Sequence, residues 1–293
     1  MTKIPYIKKR FGANSLHLIA TADSIIEEYA AEDLELTLRQ LYYQFVSRDL
    51  IANKQSEYKR LGNIISEARL AGLIDWEAIV DRTRNLKENY HNTDPGDAVR
   101  DSLDCFRLNR WDNQPFRPEV WIEKEALVGV IAKICQKLDV PYFACKGYTS
   151  QSEMWRAGQR MLRYDRNGQT PVIIHLGDHD PSGMDMTRDI TDRLDLFMGG
   201  LEVKRIALNY NQIEEHNPPP NPAKLTDTRA GKYIAQYGAS SWELDALEPR
   251  IISKLIKNTV KSFTDQDLMN ETLDKEEEYR TVLENVVDNW ETL

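Results

Sequence analysis

The sequence predicts an α/β protein: a helical N-terminal domain over residues 1–115, then a mainly parallel sheet covered by helices, with a C-terminal helical extension, over residues 116–293. Three observations predict it. Apolar residues recur at helical spacing through the first seventy or so positions. Beyond Pro118, runs of strand-forming residues alternate with helical stretches, the order that builds a parallel sheet. Two of those runs, Val120-Trp121-Ile122-Glu123 and His175-Leu176-Gly177-Asp178-His179-Asp180, end in carboxylates.

The first element is an amphipathic helix from Ser15 to Ala31, with Leu16, Ile19, Ile25, Ile26 and Tyr29 on one face and acids opposite. Thr37-Leu38-Arg39-Gln40 then has the form of a capping box, opening a helix whose Leu38, Leu41, Tyr42 and Phe45 form the buried stripe. At about 100° per residue, Tyr42 falls in that stripe and Tyr43 to its side, one turn from Arg39. A flank tyrosine beside a guanidinium suits a nucleophile, because a phenol with an ordinary pKa near 10 needs help to ionise. The same pattern also fits a tyrosine packed against another domain.

A third helix follows from Ser56 to Ala71, with Tyr58, Leu61, Ile65 and Ala68 inward and Lys59, Asn63 and Ser66 outward. The run Ile79-Val80-Asp81-Arg82-Thr83-Arg84 has the character of a basic ribbon. Three helices and a ribbon is the order of a winged-helix domain, in which the third helix enters the major groove and the ribbon touches phosphate. Lys59, Arg60, Asn63, Arg82 and Arg84 are the contact candidates on that reading, and an ordinary solvated helix face is the alternative. Turn-forming residues between Glu88 and Pro118 mark the connection to the second domain.

In that domain strands are expected at Glu119–Glu123, Pro141–Cys145, Pro171–Leu176 and Val203–Leu208, separated by helices near Lys124–Leu138, Ser150–Arg163 and Gly183–Phe197. Ligands of open parallel sheets sit beyond the carboxyl ends of strands, where Glu123 and Asp178 fall. If the chain stays extended through His179, Asp180 points the same way as Asp178. Three carboxylates at one edge repel unless protonated or neutralised, and hard oxygen ligands suit Mg²⁺ with water or phosphate completing its shell. Read singly, each acid also fits a surface loop. The Asp-His-Asp segment loosely resembles those of two-metal phosphoesterases and haloacid-dehalogenase phosphatases. Neither accounts for Glu123 or Tyr43, and His17, His91 and His216 lack the setting of further metal ligands.

The net charge of −9 is concentrated near the C-terminus, where Asp265 to Glu291 holds ten acids against Lys275 and Arg280. The remainder is close to neutral, so bulk charge neither favours nor excludes nucleic acid. Cys105, Cys135 and Cys145 have no CxxC spacing, which speaks against a zinc cluster or disulfide framework. Apolar runs are too short to span a bilayer, so no membrane association and a cytoplasmic location are expected. Asn217-Pro218-Pro219-Pro220-Asn221-Pro222 reads as a stiff connector. Two helical stripes follow, Ile251, Ile252, Leu255, Ile256 and Val260, then Tyr279, Val282, Leu283, Val286, Val287 and Trp290. Core packing is expected of both, and the acidic setting of the second also fits a dimer or partner surface.

Taken together, Arg39-Gln40-Leu41-Tyr42-Tyr43, Glu123-Lys124-Glu125-Ala126, Lys146-Gly147-Tyr148, Asp178-His179-Asp180-Pro181-Ser182-Gly183 and Trp242-Glu243-Leu244-Asp245-Ala246-Leu247 resemble, in order and spacing, the A subunit of type IIB topoisomerases (topoisomerase VI) and the related meiotic double-strand-break transesterase. The resemblance covers about Leu36 to Ile256. It implies a winged-helix (CAP-like) domain before a Toprim domain. It also implies Tyr43 as a nucleophile that becomes joined to a 5′ DNA end, with Arg39 orienting the phosphate. Lys124 belongs to the catalytic motif, and Glu123, Asp178 and Asp180 would be the Mg²⁺ ligands. Double-stranded DNA is the implied partner. A homodimer would pair one subunit's tyrosine with the other's carboxylates. The family's ATPase B-type subunit is a further implied partner, for which this chain carries no motif. Thr149 stands where the family usually has proline. The chain is shorter than a typical A subunit and reads as a stand-alone relative, and a hydrolytic Toprim nuclease or a DNA-binding protein is the alternative.

Overall fold

The computed structural model describes residues 3–32, 34–79, 89–223 and 225–290. Three helices open it: α1 (Ala13–Ala30), α2 (Leu38–Ser47) and α3 (Gln55–Leu70). Their apolar stripes meet in one core built on Ala22, Ile25, Tyr29, Leu41, Phe45, Leu61, Ile65 and Ala68. Leu16, expected on the buried face of α1, is exposed, and Leu18 and Ala22 take its place. The capping box of α2 forms: Gln40 N donates to Thr37 Oγ1 at 3.2 Å and Thr37 N to Gln40 Oε1 at 2.8 Å. Outside the helices, backbone bridges join Pro5 to Ala71 and Leu36 to Ile79. Arg82 and Arg84, expected on a basic ribbon, lie outside the described residues.

After α4 (Pro95–Cys105) come β1 (Phe116–Ile122), α5 (Val128–Lys137), β2 (Tyr142–Ala144), α6 (Gln151–Arg166), β3 (Thr170–Leu176), α7 (Pro181–Met198) and β4 (Glu202–Ala207). Among the described residues these strands make one all-parallel sheet in the order β2-β1-β3-β4, with β1 and β3 in register from Phe116 opposite Thr170 to Ile122 opposite Leu176. Strand alternation sends Val120, Ile122, Val172 and Ile174 to one face and Trp121 and Ile173 to the other. Both faces are covered, so the strands read as continuous apolar runs. On the first face lie α5 and α10 (Pro249–Ser262), and on the second lie α6 and α7.

The chain between β4 and α10 carries α8 (Tyr210–His216), a two-stranded ribbon of β5 (Asn221–Pro222) and β6 (Ser240–Ser241), and α9 (Ala230–Tyr237). The expected stiff connector therefore ends as a ribbon strand. The last helix, α11 (Gln266–Asp288), packs on α4, and Glu276 is buried there against Arg110 Nη2 at 2.8 Å and Leu108 N at 2.9 Å. Its apolar stripe departs from the core expectation, for Tyr279, Val282 and Val286 are exposed: α4 is a short helix and covers a single flank of α11. The three cysteines are unpaired, with Cys135 and Cys145 buried and Cys105 exposed. Among the described residues no helix is long and apolar enough to cross a membrane.

Candidate active site

Because β1 and β3 are adjacent and in register, the residues just beyond their ends meet. The Asp178 backbone N–H donates to Glu123 Oε2 at 2.8 Å. Two glycines make the approach possible. A Cβ on Gly177 would lie 3.0 Å from Glu123 Oε2, and one on Gly183 would lie 2.3 Å from the Asp178 carbonyl oxygen, a backbone atom that cannot step aside. Asp180 turns into the helix as the N-cap of α7, where its Oδ1 accepts from Gly183 N at 2.6 Å and Ser182 Oγ at 2.9 Å. Burial, then the neighbouring Asp178 carboxylate and more weakly Asp180, push the Glu123 pKa up to about 7. Burial also raises Asp178, against the pull of Lys124.

Lys124 answers part of that charge. Its Nζ lies 3.0 Å from Asp178 Oδ2, 2.9 Å from Glu243 Oε2 and 3.7 Å from Asp245 Oδ2. Burial alone would lower its pKa, yet the three carboxylates outweigh burial and hold it above the ordinary value. Among the described residues no three acidic, histidine or cysteine side chains converge as a preformed metal cluster. The reason is local: Asp178 is engaged by Lys124 and by Leu244 N at 2.8 Å, and Asp180 is drawn into the cap.

Arg205, which sequence reading passed over as a strand residue, is the cation behind this edge. Its guanidinium donates to the carbonyls of Asp178 at 2.7 Å, Gly177 at 2.9 Å and Gly183 at 3.0 Å, binding the β3–α7 turn to β4. Burial pushes its pKa down to about 10, against the attraction of Glu123, Asp178 and Asp180. His179 is a packing residue. Its Nδ1 lies 2.7 Å from Tyr233 Oη amid the rings of Tyr210, Tyr233, Tyr237 and Trp242, and burial pushes its pKa down to about 4.

The segment from Trp242 to Leu247 joins this edge to the tyrosine helix. Trp242 pairs with the His179 backbone, Leu244 and Leu247 enter the sheet core, and Ala246 enters the N-terminal core. Glu243 bonds Arg39 on one side and Lys124 on the other, and Arg39 Nε lies 3.2 Å from Asp245. The two cations outweigh burial and hold Glu243 below the usual carboxylate range. An unbroken charge relay thus runs from Arg39 through Glu243 and Lys124 to Asp178 within one chain. Sequence periodicity contains no signal for the pairings of Glu243, since they join residues more than a hundred positions apart.

Of the two readings of Tyr43, free on the flank of α2 or packed against another part of the chain, the structure shows the packed one. Tyr43 is 3% exposed, because that flank is filled by Glu243 and the β5 residue Asn221. The Arg39 guanidinium lies 5.8 Å from the Tyr43 ring centre. Burial, then the charge of Glu243, raise the phenol's pKa, with Arg39 and Asn221 opposing them. A pocket of about 310 Å³ lies beside the tyrosines, between Tyr58, Asn53 and Pro222. Tyr42 is equally buried, its hydroxyl on Asn53 Oδ1 at 3.0 Å, and Asn53 Nδ2 donates to Pro220 O at 2.7 Å. Lys59, Arg60 and Asn63 are exposed on α3, with Arg60 bonded to Glu57 one turn back.

No protein-family model matches the chain, and no curated protein matches it.

Proposed function

We propose that this protein breaks double-stranded DNA by Mg²⁺-dependent tyrosine transesterification, in the manner of the type IIB topoisomerase A subunit that its motifs resemble. One observation carries the reading: the relay Arg39–Glu243–Lys124–Asp178, which connects a tyrosine-bearing helix to the carboxylate end of a parallel sheet. On this reading the N-terminal helices are a winged-helix module, Lys59, Arg60 and Asn63 meet DNA, and the sheet domain is a Toprim domain.

The donor set suits the ion. Glu123, Asp178 and Asp180 offer hard oxygens, and burial followed by the Asp178 charge pushes the Glu123 pKa up to about 7, a carboxyl that a bound cation would favour in its ionised form. Those three residues would hold Mg²⁺, which supplies Lewis-acid stabilisation of charge on a phosphate oxygen. Arg39 opposes the burial that keeps the Tyr43 phenol protonated, and it can pair with the scissile phosphate. Lys124 neutralises the acids that would otherwise repel that phosphate. The Tyr43 oxygen bonds to phosphorus and its proton passes to water, the bond from phosphorus to the 3′ oxygen breaks and that oxygen takes a proton from water to become a hydroxyl, and the protein is left on the 5′ end. One ester replaces another, so cleavage needs no ATP. In this closed arrangement Asn221 and Glu243 cover the phenol, so attack by Tyr43 requires the Arg39–Glu243 link to open while Lys124 keeps Glu243 and Asp178 at the carboxylate edge.

A second reading, a hydrolytic nuclease or DNA-binding protein in which Tyr43 is structural, is favoured by one observation, the burial of that tyrosine. Supercoiled plasmid incubated with protein and Mg²⁺, quenched with detergent and assayed for protein on 5′ ends separates the two. Covalent attachment that maps to Tyr43, and is lost from that position in Tyr43→Phe, supports the transesterase with Tyr43 as nucleophile. Breaks without attachment, unchanged in that variant, sink it.

A further inference from the structure

Tyr148 sits at the same end of the sheet, in the turn after β2. Lys146 and Gly147 precede it with φ of 55° and 86°, and this left-handed pair turns the chain outward so that Tyr148 is 44% exposed. Its hydroxyl donates to Asp185 Oδ2 at 2.6 Å. Arg229 Nη1 donates to the same phenol oxygen and to Asp185 Oδ2 at 2.9 Å, and the guanidinium carbon lies 5.4 Å from the ring centre. Arg229 is itself held by Asp227 at 2.8 Å and Asp185 by Arg188 at 2.8 Å. Asp185 comes five residues after Asp180, the N-cap of α7, which is about 7.5 Å of rise along the helix axis from Asp180.

These are the parts an attacking phenol needs: a tyrosine that is not buried, a carboxylate to take its proton, and a cation to stabilise the phenolate. Tyr43 has Arg39 and Glu243 beside it but is 3% exposed. We propose that Tyr148, with Asp185 as its base and Arg229 as its countercharge, is a second nucleophilic tyrosine serving the same carboxylate edge, an inference that rests on the transesterase reading. Tyr148 Oη attacks the phosphorus of a phosphodiester and its proton passes to Asp185 Oδ2. The bond from phosphorus to the leaving oxygen breaks, and that oxygen takes a proton from water. Nothing is oxidised or reduced, and no further reactant is required.

The test maps the attached tyrosine. Wild type, Tyr43→Phe, Tyr148→Phe and Asp185→Asn are incubated with plasmid and Mg²⁺. In parallel they are incubated with the p-nitrophenyl ester of thymidine 5′-monophosphate, a small activated diester that needs no DNA target. Digested protein is then searched by mass spectrometry for nucleotide on tyrosine. The expected result is adduct on the Tyr148 peptide that is absent in Tyr148→Phe, falls at least tenfold in Asp185→Asn and persists in Tyr43→Phe. Adduct confined to Tyr43 overturns this inference and leaves the transesterase standing. Breakage of plasmid with adduct on neither tyrosine overturns both, and an inert ester with intact plasmid overturns the role of Tyr148, the more exposed phenol. Retention of the fold in Tyr148→Phe is checked by its unfolding midpoint, expected within about 2 °C of wild type because the phenyl ring stays exposed.

Discussion

Replacing Lys124 by methionine removes a cation that contacts Asp178, Glu243 and Asp245 together, at 3.0, 2.9 and 3.7 Å. Arg39 remains on Glu243 and Asp245, so the acid that loses its contacting cation is Asp178, whose side chain is 8% exposed and whose carbonyl, not its carboxylate, is bonded by Arg205. Breaking a buried pair by removing one member costs about 3–5 kcal/mol, and since the Lys124 side chain is itself 24% exposed the lower end applies, about 3 kcal/mol. At about 2–4 °C per kcal/mol, the unfolding midpoint should fall by about 6–12 °C. The loss must depend on pH. Without Lys124 the folded-state pKa of Asp178 rises further above its unfolded value, and an acid raised in this way loses its stabilising contribution as pH rises through the folded pKa. The deficit should therefore be largest at about pH 8 and shrink at about pH 5, as read by urea unfolding at both. A loss below about 1 kcal/mol, or one equal at the two pH values, would refute the assignment of Lys124 as the counter-cation of a buried carboxylate.

Glu123, with its pKa pushed up to about 7, should make the wild type less stable above neutrality than below it. Mg²⁺ should raise the unfolding midpoint at about pH 8 and have little effect at about pH 5, where Glu123 is protonated; a shift that survives Glu123→Gln would count against Glu123 as a ligand. Gly183→Ala places a methyl 2.3 Å from the Asp178 carbonyl oxygen, so α7 must move away from the carboxylate edge, at a cost of about 3 kcal/mol in unfolding free energy. Little change would mean that the turn is looser than its packing. Thr37→Ala removes half of the α2 capping box and should cost about 1 kcal/mol, measured by denaturant unfolding, where a loss near zero would show that packing alone holds the tyrosine helix.

Much of the architecture was legible because local rules act locally. Thr37 and Gln40 are three residues apart and cap the helix that they were expected to cap. The four strands were recognised by their apolar runs, and β1 and β3 fall within a few residues of where those runs lie. The convergence of Glu123 with Asp178 followed from strand ends and the habit of parallel sheets. That Tyr43 packs against a distant segment was one of its two sequence readings, but which residues cover it was not legible, for a different reason. Helical periodicity orders residues by angle about one axis, and it has no term for a segment that arrives from almost two hundred positions later to cover the flank.

The same division separates what the sequence by itself determined from what the tertiary structure decided. Turn residues, caps and apolar periods set which segments are helices and strands, and the position of each acid relative to its strand end. Only the folded chain decided that Lys124 stands among Asp178, Glu243 and Asp245, that Arg205 ties the β3–α7 turn to β4, that Asp180 caps α7, and that Tyr148 is open while Tyr43 is shut. Charge pairing and desolvation depend on distance in space, and residues brought together by three separate chain crossings leave no spacing in the sequence by which their meeting can be read.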